Sequence, residues 1–122
     1  MSTATSSDPA ALLRAAQVVI DRRHSATRGV WPKAAALLGR QALETAISQR
    51  FPEIANASGR ARNLCLPTLL GDRELARDLI QSWGALSHAT HYHAHDLSPT
   101  ATELEHWLEP VARLIDQTSD PR

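Results

Sequence analysis

The sequence predicts an all-α protein, a bundle of four main helices with one short extra helix. Three observations carry that prediction. No stretch alternates apolar and polar residues with period two, as a half-buried strand requires. Alanine and leucine are plentiful, whereas the 122 residues include one phenylalanine and one tyrosine; alanine and leucine favour helices, aromatic residues strands. Four segments repeat apolar residues at helical spacing, most of them behind a capping or proline signal. The length suits one domain with its own hydrophobic core. We expect that domain to span 8–117, with 1–7 and 118–122 as disordered tails that have no apolar run to bury.

The first helix is expected in "SDPAALLRAAQVVIDRR", where Asp8 can cap and Pro9 suits the first helical position. Leu12, Leu13, Ala16, Val19 and Ile20 form its apolar face. The second begins near Trp31-Pro32 and runs to Pro52; its many alanines let neighbours approach closely, and Gly39 can admit a side chain from another helix. A short turn near Pro52–Ala57 follows, then the extra helix from about Gly59 to Leu70, which Pro67 should interrupt or end. Asp72 can cap the third main helix, with Leu75, Leu79, Trp83 and Leu86 on one stripe. Thr100 and Glu103 form a capping box for the last helix, which should kink at Pro110. Trp83 and Trp107 are expected in the core; so is Trp31, with a staple on the second helix or an exposed contact as its alternatives.

Thirteen basic and thirteen acidic residues cancel, so no overall field draws the chain to nucleic acid or an anionic membrane. Cys65 is the only cysteine, which rules out an intramolecular disulfide; its apolar setting, "NLCLP", suggests a buried, inert thiol. No segment nears the ~20 apolar residues of a membrane span, and the first residues lack a signal-peptide pattern. A cytoplasmic location is expected. Glycine-rich phosphate loops and nucleophile elbows are absent. Glu44, Glu74 and Glu109 look like solvated helix-surface carboxylates.

Chemistry concentrates in "SHATHYHAHD", which holds His88, His91, His93 and His95, four of the six histidines. On a continuing helix, His88, His91 and His95 share an outward row with Arg77, Gln81 and Gly84, while His93 leans towards the packed side. Four roles fit. The row could be a polar helix end placed favourably at the negative pole. It could be a metal site built from His88, His91 and His95 or Asp96. It could be a catalytic or RNA-contacting site, with Tyr92 stacking on a base. It could also be an oligomer contact, sensitive to pH.

The stretches "AAALLGRQALETAI" and "NLCLPTLLGDRELARDLIQSWGALSHATHYHAHDLSPTATELEHWL" resemble the HEPN superfamily, in particular small all-helical bacterial proteins of actinobacterial type. The resemblance covers about residues 8–116. It implies a homodimer in RNA-linked stress or defence, with RNA or a protein encoded nearby as partner, no cofactor and no membrane. The family cuts RNA without metal through an Arg followed four to six residues later by His. Here no arginine has a histidine at that spacing. His88 stands in the arginine's place and His93 five residues on. An imidazole clamps phosphate less well than a guanidinium. The resemblance therefore implies a binding or degenerate module before an efficient ribonuclease. Should it cleave, His93 would be the acid–base group, with His88 beside it, and His91, Arg77 and Tyr92 would contact RNA. Arg60 and Arg62 are further candidates for the missing positive charge. A non-catalytic interaction module and a histidine-cluster metal binder are the alternatives.

Overall fold

The computed structural model describes residues 8–24, 29–91 and 97–119. They form α1 (Pro9–Asp21), α2 (Trp31–Arg50), a 3-10 turn (Pro52–Ile54), α3 (Gly59–Leu70), α4 (Arg73–Thr90) and α5 (Ala101–Ser119). No strand occurs among the described residues, and the all-α bundle expected from the periodicity is what the chain builds.

The caps explain the boundaries. The Asp8 carboxylate accepts the Ala10 N–H at 3.0 Å, Ser58 that of Ala61 at 3.1 Å, and Asp72 that of Leu75 at 3.0 Å. Thr100 and Glu103 close a reciprocal box: Glu103 N–H donates to Thr100 Oγ1 at 3.1 Å, and Thr100 N–H to Glu103 Oε1 at 2.9 Å. Gly71 ends α3 with φ 67°, a left-handed conformation that only glycine adopts without strain.

The expectations for Pro67 and for the C-terminal tail need correcting. Pro67 does not end α3, which runs on to Leu70, because only one helical turn remains beyond it to lose. The tail expected from Thr118 is helical through Ser119, with the Thr118 hydroxyl donating to the Leu114 carbonyl at 3.0 Å. Pro110 lies inside an uninterrupted α5 and is buried. Residues 1–7 and 120–122 lie outside the described residues.

Helix α2 is the hub, packing on α1, α4 and α5, whereas α3 packs chiefly on α4. Ala35, Ala36, Gly39, Ala42 and Ala46 are buried along it and bring the neighbouring axes close. A Cβ placed on Gly39 would collide with the end of Leu108 and lie 3.5 Å from both Leu86 methyls, so the absent side chain does admit neighbours. Two apolar clusters form the core. One gathers Leu43, Ile47, Leu66, Leu75, Leu79, Val111 and Leu114; the other Ile20, Ala36, Leu86, Leu104 and Leu108.

The tryptophans expected inside are only half-buried. Trp83 borders the first cluster, and Trp31 and Trp107 border the second. Each carries a ring too wide for the narrow seams that alanine creates. Arg23 stacks on Trp31 at 5.7 Å from the ring centroid. Cys65 is exposed, not buried: α3 turns Leu66 inward and leaves Leu64 and Cys65 to solvent.

The Trp83 ring leaves no room beside α3. A Cβ at Gly59 would stand 2.6 Å from its Cζ2 and 2.9 Å from its Cη2. The indole N–H is fixed on Glu44 at 3.0 Å, so the ring has no free path aside. Gly59→Ala should cost about 1–3 kcal/mol, seen as a lower midpoint in urea unfolding at unchanged slope.

Candidate functional site

Helix α4 shows four different surfaces around its circumference. Leu75, Leu79, Ser82 and Leu86 face the core. Trp83 turns towards α2 and α3, where its indole meets Glu44. Asp78, Ser82, Ala85, His88 and Ala89 look towards α5. Arg77, Gln81, Gly84, His88 and His91 are exposed, as the sequence predicts for that row.

The helix ends at Thr90, so the row does not extend to His95 along it. His91 is its C-cap, donating its backbone N–H to the His88 carbonyl at 3.0 Å. The Thr90 hydroxyl donates to the Leu86 carbonyl at 2.8 Å and satisfies one acceptor of the last turn. Tyr92, His93, His95 and Asp96 lie outside the described residues. The catalytic role of His93, the stacking role of Tyr92 and the third metal ligand at His95 or Asp96 fall there. Among the described residues, no three His, Cys, Asp or Glu side chains gather to hold a metal ion.

The arginines considered for the phosphate do not join His88. Arg77 precedes it by eleven residues on the same helix, roughly 16 Å along the axis, with its Nε 3.7 Å from Asp78. Arg62 is only 9% exposed and donates to Glu44 Oε2 at 3.2 Å. Arg60 sits in the exposed first turn of α3. Glu44 also corrects its expected solvated role: one oxygen receives Arg62 and Trp83, with Arg40 Nε 4.0 Å away.

Instead, His88 lines a hollow of about 360 Å³ between α4 and α5, near the C-terminus of α4. Ala85, Ala89, Leu97, Pro99, Glu103 and Trp107 line it with His88. Leu97 is 96% exposed, an apolar side chain with almost no protein around it. One indole further along the same seam lies a second cavity of about 150 Å³, bordered by Asp78, Ser82, Trp107, Glu109 and Arg113.

No family model, curated protein or solved structure matches this chain. Its reading therefore rests on its own geometry. No helix among the described residues is long and apolar enough to cross a membrane.

Sequence periodicity does not reveal this seam, because the strongest apolar stripe of α4 runs beside it. A signal was present. Asp78, Ser82, Ala85 and Ala89 recur at helical spacing beside that stripe, and small residues at 85 and 89 leave space for an opposing ring. Trp107 supplies it from α5.

Electrostatics holds the seam at its second cavity. Arg113 donates from Nη2 to Asp78 Oδ2 at 2.8 Å and from Nε to Glu109 Oε1 at 3.0 Å. That hydrogen bond from Arg113 holds the Asp78 carboxyl below its ordinary range; desolvation opposes the shift, and the Arg113 and Arg77 charges add to it. The same bond raises Arg113. A folded-state pKa below the unfolded value means that the pair stabilises the fold above the ordinary aspartate value of 3.8. The contribution fades as pH falls through that value and is gone below the lowered one. Asp78→Asn should therefore be less stable than wild type near about pH 7, with the gap closing towards about pH 3. Urea unfolding of both chains across that interval measures it, and a gap independent of pH would contradict the assignment.

Proposed function

We propose that this chain is a non-catalytic helical binding module that pairs with a second copy of itself through the hollow beside His88 and Leu97 in the α4–α5 seam. The observation that carries the reading is Leu97. A leucine 96% exposed beside a hollow lined by Ala85, Ala89 and Trp107 places an apolar knob and an apolar hole on one face. A two-fold interface needs that self-complementarity, because each copy offers the same surface. Leu97 of each copy would fill the hollow of the other, with His88 and Glu103 at the polar rim.

The HEPN-like resemblance supplies a second reading, in which such a dimer meets RNA. His88 at the rim favours it, since two-fold pairing would bring the His88 side chains of both copies to one interface. Nuclease chemistry has less support. Arg62 is committed to Glu44, and Arg77 stands about three turns of helix from His88. RNA binding without efficient cleavage is the form of this reading that the geometry favours.

Two measurements separate these readings. In sedimentation, Leu97→Asp should weaken self-association by at least about 100-fold, since two leucines lose their burial at about 1.5–3 kcal/mol each. The substitution should leave the fold intact because the side chain touches little within its own chain. A wild-type chain that stays monomeric up to about 100 μM would remove the dimer. On a mixed RNA pool in chelator, we expect no more cleavage by wild type than by a His88→Ala/His93→Ala chain. Cleavage by wild type alone would restore the ribonuclease reading.

A further inference from the structure

Three of the five large apolar side chains exposed among the described residues share the outer face of the α1–α2 pair: Val18 at 45%, Val30 at 66% and Leu37 at 38%. Single exposed valines or leucines need no explanation, but three on one face form a patch. Val30, Ala34 and Leu37 recur at spacings of four and three on α2, and Val18 and Arg22 stand four apart on α1. Where the two helices meet lies a groove of about 380 Å³. Val18, Val19, Val30, Trp31 and Ala34 supply its apolar lining, and its remaining lining residues, Arg22 and His24, are basic types.

Charge is unevenly spread along the neutral chain. Residues 8–51, which hold this helix pair, carry seven basic and three acidic side chains; residues 52–122 carry six and ten. All three acids of the first segment are engaged away from the groove. Asp8 caps the far end of α1. Asp21 accepts from Gln17 Nε2 at 2.9 Å, and the same nitrogen donates to Glu105 of α5 at 3.1 Å, so Asp21 sits on the α5 flank. Glu44 is held by Arg62 and Trp83. Helix α2 begins at the groove without a side-chain cap, and its first turn has no acidic residue. The positive end of its dipole therefore adds to the charge of Arg22 in the same place.

We propose that this groove docks an acidic amphipathic helix of a protein partner, one whose apolar stripe is flanked by carboxylates. Apolar side chains at i, i+3, i+4 and i+7 of that helix cover Val18, Val30 and Ala34. The stripe from Val30 to Leu37 is about 10 Å long, which two turns of a partner helix match. The carboxylates pair with Arg22 and face the uncapped start of α2. A second copy of this chain does not supply such a helix: α5 is acidic, but its apolar face, Leu104, Leu108, Val111, Leu114 and Ile115, is buried in its own core. A lipid surface fits less well, since a flat interface does not reach the half-buried Val19 and Ala34. An RNA base competes with Arg23, which already stacks on Trp31. The groove shares no lining residue with the hollow beside His88, so it is independent of the dimer proposed above.

The test is a titration of the full chain with a synthetic helical peptide of about 15 residues, leucines along one stripe and glutamates beside them, followed by the indole N–H resonance of Trp31. The same peptide with lysine in place of every glutamate is the control. Saturable binding with a Kd of about 100 μM or tighter is expected for the acidic peptide, at least about tenfold tighter than for the lysine peptide. Val30→Asp, at a side chain 66% exposed, should weaken it about tenfold or more. Arg22→Glu should narrow the preference between the two peptides about fivefold or more, and its improved binding of the lysine peptide would show that this variant is folded. Equal binding of both peptides by wild type, or undiminished binding by Val30→Asp, would overturn the site. A Trp31 shift with phosphatidylglycerol vesicles or with RNA, and none with the acidic peptide, would replace it with a membrane or nucleic-acid surface. Leu97→Asp should bind the acidic peptide as wild type does, which separates this outcome from that of self-association; loss of binding there would overturn the independence of the two sites.

Discussion

Glu44 reaches from the hub helix α2 to two other helices through a single oxygen. That oxygen accepts from the Arg62 guanidinium on α3 and from the Trp83 indole on α4. Arg62 is nearly buried, and a buried guanidinium without a carboxylate would carry a desolvation penalty of several kcal/mol. The ion pair therefore fixes where the first turn of α3 can lie. Trp83, held by the same oxygen and pressed against Gly59, fixes how α4 is rotated about its own axis. Rotating α4 by one residue position, about 100°, would move Ser82 and His88 out of the seam with α5. The contents of both cavities thus follow from a contact on the opposite flank of the helix.

The alanine-rich face of α2 has a complementary effect. Close approach of the helices consumes the space that large side chains would otherwise fill, and the tryptophans are displaced to the seams. Trp107 is the clearest case. It lines both the hollow beside Ala85 and Ala89 and the cavity beside Asp78, Ser82 and Arg113. Partial burial leaves each ring less stabilising than a core tryptophan, and leaves one face of it available for contact with something else.

Legibility in the sequence followed the range of the interactions concerned. Asp8, Asp72 and the Thr100–Glu103 box act within four residues, and each cap stands where its residue type and spacing indicated. Gly39 was legible as a packing site because glycine amid alanines in a helix has few other uses. Glu44 was misread because its partners are 18 and 39 residues away, and nothing local distinguishes a carboxylate that pairs from one that is solvated. Cys65 was misread because apolar neighbours in sequence spread around a helix, and only Leu66 of that stretch faces inward. At the site, His88 and the exposed row were legible from helical spacing. The turn at His91 was not, since the same residue types continue on both sides of it.

Pro110 shows how a local rule and a distant contact combine. The sequence rule says that proline removes a donor and strains the helix. Its burial inside an uninterrupted α5 indicates that packing against the core offsets that cost. Pro110 borders the same small cavity as Ser82 and the two carboxylates that share Arg113. The α4–α5 seam thus presents apolar surface at Ala85, Ala89 and Trp107 beside polar groups at Asp78, Ser82 and Glu109.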